Sequence, residues 1–127
     1  MDLNLRGRTA VITGASKGIG IASAECLAAE GVNVILVART QADLDAAHER
    51  IAGRYNVSVQ VHAYDLSDSR NVDRLVDQHP DIDILVNNAG AIPGGDLQAI
   101  TEQRWREAWD LKVFGYINMC RRFYAEM

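Results

Sequence analysis

The chain has 127 residues, 48% of them hydrophobic and 24% charged, the proportions of an ordinary globular fold and a length suited to one domain over 1–127. Its 13 basic and 17 acidic residues leave a net charge of −4 with no block of Lys or Arg, which argues against a nucleic-acid partner. The start MDLNLRGRTAVITG has no apolar leader core and no window approaches the roughly 18 apolar residues of a membrane span, so a cytoplasmic protein without a membrane partner is expected.

Thr9 to Thr13 is β-branched, stops at Gly14 and reads as a buried strand. From Ser16 to Glu30, Ile19, Ala22, Cys26 and Ala29 recur at helical spacing before Gly31, which predicts an amphipathic helix with that stripe inward. Val32 to Val37 is apolar almost throughout, as in a strand covered on both faces. Gln41 to Ala52 predicts a second helix through Leu44, Ala47, His48 and Ile51. Val57 to Tyr64 alternates and predicts an edge strand, Ser69 to Gln78 a short helix, and Ile82 to Val86 a fourth strand. Gly90 to Ile100 reads as a loop, and Thr101 as the cap of a long last helix carrying Trp105, Trp109, Val113, Phe114 and Ile117. Cys26 and Cys120 have neither metal-ligand spacing nor a histidine nearby, and read as reduced, buried small hydrophobes.

The order β-α-β-α-β-α-β-α implies right-handed parallel crossovers and an α/β, doubly wound parallel sheet whose carboxyl edge binds ligands. Right after the first strand comes Gly14-Ala15-Ser16-Lys17-Gly18-Ile19-Gly20, opening into the helix. One glycine permits the tight turn, another lets backbone approach a pyrophosphate, and the last lets helix and strand pack closely. Unpaired amides at the helix start then face the anion. A glycine-rich turn without a ligand explains any one glycine, but explains three in this context poorly.

The run Thr13-Gly14-Ala15-Ser16-Lys17-Gly18-Ile19-Gly20 resembles the TGxxxGIG pattern of the short-chain dehydrogenase/reductase family, and Asn87-Asn88-Ala89-Gly90 matches the family's NNAG. The resemblance implies a Rossmann-type domain and an oxidoreductase that moves hydride between a nicotinamide and a carbonyl or alcohol carbon. A NAD-preferring site places an acidic residue at the end of the second strand. Here that position is Ala38, followed by Arg39 and Thr40, with Lys17 in the glycine loop. Two cations without a carboxylate favour NADP(H) over NAD(H); the bland reading is that both are merely solvated. The resemblance further implies that Asp65, followed by Leu66, accepts a hydrogen bond from adenine, although a lone aspartate equally caps a turn. It places Asn88 and the Ala89-Gly90 backbone along the inner ribose, with Asn87 bonded to neighbouring backbone. The expected coenzyme-binding set is thus Gly14, Ser16, Lys17, Gly18, Ile19, Gly20, Arg39, Thr40, Asp65, Leu66, Asn88, Ala89 and Gly90.

The family's catalytic serine and YxxxK have no counterpart in the 127 residues, because neither Lys17 nor Lys112 follows a tyrosine by four. A family asparagine expected seven positions after Trp105 and three before Gly115 is replaced by Lys112, which while protonated cannot accept a hydrogen bond. The expectation is a fold truncated after about four strands and four helices, not catalytic alone, leaving the fourth strand open on one side. It is either part of a longer protein or a homo-oligomer through the helix 101–127. A non-catalytic NADP-binding or oligomerisation module is the alternative. A methyltransferase on a related sheet is disfavoured by Ala38, where that class wants an acid.

Overall fold

The computed structural model describes residues 1–127. In chain order it forms β1 (Thr9–Thr13), α1 (Gly18–Ala29), β2 (Asn33–Ala38), α2 (Gln41–Ala52), β3 (Val59–Ala63), α3 (Ser69–Gln78) and β4 (Ile84–Val86). A last helical run joins α4 (Glu102–Trp109), a π-helical turn (Asp110–Phe114) and α5 (Gly115–Glu126). The strands make one parallel sheet in the order β3-β2-β1-β4, with Val11 opposite Ile35 on one side and Leu85 on the other. This is the expected α/β doubly wound arrangement, with β3 and β4 at the two edges.

Alternate residues of the central strands feed two cores. Ala10, Ile12, Val34 and Leu36 meet Ala24 and Ala28 of α1 and Leu44, Ala47 and Ile51 of α2. Val11, Ile35 and Val37 face the opposite side, against Val72, Leu75 and Val76 of α3 and Met119 and Phe123 of α5. Each buried Val, Leu, Ile, Met or Phe among them contributes about 1.5–3 kcal/mol relative to exposure, so the sheet is held from both faces.

Two expectations are corrected. α1 buries Gly20, Ile21, Ala24 and Ala28, whereas Ile19 is 77% exposed and Ala22 and Ala29 face outward. The helix starts two residues later than its sequence suggests, and Gly20 packs directly against the Gly14 carbonyl just after β1. Cys26, on the outer face, and Cys120 are free thiols but exposed, not buried. In the last helix Trp109, Phe114 and Ile117 are more than half exposed, and the inward face is Ala108, Gly115, Met119 and Phe123. The predicted cap does form, with Thr101 Oγ accepting from the Arg104 amide at 3.3 Å.

Candidate functional site

From β1 the strand order runs to β2 and β3 on one side, while β4 lies on the other. The carboxyl ends of β1 and β4 therefore flank a reversal of strand order, the crevice where doubly wound sheets take ligands. The buried Thr13 joins these two ends. Its Oγ accepts from the amides of Asn88 and Ala89, each at 2.9 Å, and donates to the Val86 carbonyl at 3.4 Å. Asn88 Nδ2 returns the link by donating to the carbonyls of Thr13 and Gly14, at 3.2 and 3.3 Å. Two sequence motifs some 70 residues apart thus become one bonded unit, and the Asn88 amide group is spent on holding it.

Within the loop, Gly14 and Gly18 take the left-handed conformation at φ +62° and +55°, where a side chain is strained. Gly20 serves close approach instead: a Cβ there would overlap the Gly14 carbonyl oxygen and stand 2.7 Å from Asn88 Nδ2. At the start of α1 the N-cap Lys17 makes no side-chain cap bond, and Ile21 is the first residue whose amide reaches back, to the Lys17 carbonyl. The amides of Gly18, Ile19 and Gly20 are the orphan donors of the helix start, carrying the positive end of its dipole. These residues fit a pyrophosphate: open amides, and at Gly18 free space where a Cβ would stand.

Beside this loop opens a cleft of about 290 Å³, which brings together Gly14, Ser16, Lys17, Arg39, Thr40, Leu66, Ala89 and Gly90 of the expected set. It also holds residues that sequence reasoning missed, notably Asp43, Tyr64 and Leu111. Asp43 changes the electrostatics. The carboxylate lacking at the end of β2 is supplied from the first turn of α2, with Asp43 Oδ2 3.2 Å from Lys17 Nζ. In sequence it passes for a helix-start acid, and only the side-by-side packing of the two β-α units sets it opposite Lys17.

Asp65 lies outside that cleft, in an adjoining cavity of about 460 Å³ with Arg39, Ile92 and Pro93. Its Oδ1 accepts from the Ser67 amide and hydroxyl, at 3.0 and 2.7 Å, so Asp65 caps this turn through one carboxylate oxygen. Asn87 does not bond to neighbouring backbone through its amide group. Its Nδ2 donates to Cys120 Sγ at 3.2 Å, and its Oδ1 is buried without a partner. Lys112 sits in the π-helical turn, and its Nζ would be 3.6 Å from a Cβ on Gly90. The cation at the family's asparagine position therefore overhangs the end of the NNAG segment.

An open glycine loop at the switch point of a parallel sheet defines a Rossmann-type α/β class of protein. A family model described as short chain dehydrogenase matches residues 8–127, and the chain belongs to this family. Relatives include an uncharacterized oxidoreductase of Bacillus subtilis (strain 168), 30% identical over 100% of the chain and 48% of the relative. The L-xylulose reductase of Mesocricetus auratus is 43% identical over 94% of the chain and 47% of its own length. Among solved structures, L-sorbose reductase from Gluconobacter frateurii complexed with NADPH and L-sorbose superposes with a TM-score of 0.93 at 34% identity, covering 100% of this chain and 50% of that one. A metagenomic short-chain oxidoreductase in complex with NADP gives 0.87 at 34% identity, covering 97% and 57%. The chain spans about half the length of the relatives it matches. No helix is long and apolar enough to cross a membrane.

Proposed function

We propose that the protein is an NADP(H)-dependent oxidoreductase and that residues 1–127 hold its coenzyme. The observation that carries this is the convergence of Gly14, Ser16, Lys17, Arg39, Ala89 and Gly90 on one cleft, beside orphan amides at a helix start. When bound, the nicotinamide coenzyme supplies or removes the hydride exchanged with a carbonyl or alcohol carbon. The chain's own residues bind and orient: the amides of 18–20 face the pyrophosphate, Arg39 and Lys17 meet the 2′-phosphate, and the Ala89-Gly90 backbone walls the inner ribose. Arg39 offers a fork of donors suited to a phosphate. That solved relatives carry NADPH or NADP supports the same choice.

The exposed Trp109, Phe114 and Ile117 support self-association through the helix 101–127. Two unpaired thiols fit a reducing, cytoplasmic compartment. The coenzyme reading is tested by titrating NADPH and NADH by fluorescence. The parent favours NADPH, and Arg39→Asp reverses the preference; an unchanged ratio would sink the assignment.

A further inference from the structure

Asp43 occupies a place in the coenzyme cleft for which the reading above has no use. It is the third residue of α2, behind Thr40 at the N-cap. A carboxylate there commonly turns back to the N-cap amide as half of a capping box. Here it instead reaches Lys17, at 3.2 Å, while Arg39 on the same cleft has no carboxylate within ion-pair distance.

We infer that Asp43 is a specificity-determining residue that competes with the coenzyme's 2′-phosphate for Lys17, lowering affinity for NADP(H) while leaving NAD(H) unaffected. The inference rests on the NADP(H) reading and adds its counterweight. A ribose bearing only hydroxyls leaves the Lys17–Asp43 pair undisturbed. A 2′-phosphate brings one to two negative charges into the same few ångströms and must draw the ammonium away. Lys17 is 76% exposed, so the exposed pair itself resists little. What remains is the carboxylate, held by the first turn of α2 on the same cleft as Lys17, where a phosphate drawn to Lys17 would stand within a Debye length of it. Arg39 is then the uncontested cation and Lys17 the contested one, which narrows the preference between the two coenzymes without abolishing it.

Asp43→Asn keeps the shape and removes the charge. By the ordinary size of exposed charge pairs it should tighten NADPH about two- to fivefold, with NADH unchanged. Adenosine 2′,5′-bisphosphate, which isolates the phosphate arm, should tighten in parallel, and 5′-AMP should not. Asp43→Ser carries the same expectation, should the amide disturb α2. Equal or weaker binding of NADPH and the bisphosphate by a folded variant overturns the inference. Arg39→Asp run alongside separates the two claims. If the parent prefers NADPH and Arg39→Asp reverses this while Asp43→Asn changes nothing, only the role of Asp43 fails. If the parent shows no preference for NADPH, both fall.

Discussion

The carbonyl oxygen of Gly14 fills the space that a Cβ on Gly20 would need, and Asn88 Nδ2 closes it from the other side at 2.7 Å. One of these neighbours is backbone and the other is fixed by its own hydrogen bonds, so neither gives way cheaply. Gly20→Ala must therefore lift the start of α1 from β1, displacing the orphan amides with it. Overpacking of this kind costs about 1–3 kcal/mol. Urea unfolding is expected to show that loss, and NADPH titration a weakening of about tenfold or more, equivalent to about 1.4 kcal/mol. Gly94→Ala is the control, since a Cβ there meets nothing within 4 Å. Parental stability and affinity in Gly20→Ala would contradict the close-approach role.

Thr13 is the next point of failure. It is 1% exposed, and its hydroxyl serves the amides of Asn88 and Ala89 together. Thr13→Val keeps the volume but leaves two amides without an acceptor, each costing about 1–3 kcal/mol where burial is complete. A lowered urea midpoint worth about 2–6 kcal/mol is expected by the same reckoning. Thr13→Ser, which keeps the oxygen, should lose much less. A larger loss in Ser than in Val would show that the methyl, not the hydroxyl, holds β1 to β4.

The sequence made the order of elements legible because β1 and β2 are near-continuous apolar runs stopped by glycine or polar residues. It made the cleft legible because Gly14–Gly20 and Asn87–Gly90 can meet only where β1 and β4 end side by side. It misled where small residues carry the packing. Gly20, Ala24 and Ala28 bury α1 against the sheet, while the larger Ile19, which drew the expected stripe, points to solvent. Phe123 escaped notice for a related reason: its inward face continues through Gly115 and Ala108, which show no apolar stripe. The π-helical turn at Asp110–Phe114 has no Pro or Gly to announce it, and the Asp43–Lys17 pair exists only once α1 and α2 lie together.

The outer face of the last helix makes a separate prediction. Trp109 is 55%, Phe114 54% and Ile117 51% exposed, and Trp105, Trp109 and Phe114 line one apolar hollow. Contiguous apolar surface of this kind marks an association site. Phe114→Glu introduces a charge there without touching either core. Sedimentation velocity at micromolar concentration is expected to show an oligomer for the parent and a shift toward monomer for the variant. A monomeric parent would remove self-association through this helix from the proposal.

The last prediction concerns pH. His62 on β3 and His79 at the end of α3 bring their Nε2 atoms to 2.7 Å, so one imidazole must donate and the other accept, and both cannot be charged. Tyr64 stacks on His62 with ring centroids 5.1 Å apart and donates its hydroxyl to Gln78, while Arg74 lies over the Tyr64 ring. Burial, and then the charge of His79, hold His62 below the usual imidazole value, and burial holds His79 down as well. The unfolded chain takes up these protons near pH 6.5, and the folded one only at lower pH. Stability is therefore complete above about pH 7, falls as pH drops through 6.5, and levels off once the folded imidazoles are protonated. Asp68 and Asp83 are also held below the carboxylate range, by hydrogen bonds to Arg70 and to the Thr9 amide respectively. Their contribution is lost only below about pH 4, well clear of the histidine window. Urea midpoints measured between pH 8 and pH 5.5 should fall for the parent and fall less steeply for His79→Gln, which removes one imidazole and the charge that opposes His62 but leaves His62 buried. A slope as steep in the variant as in the parent would mean that the pair does not govern this window.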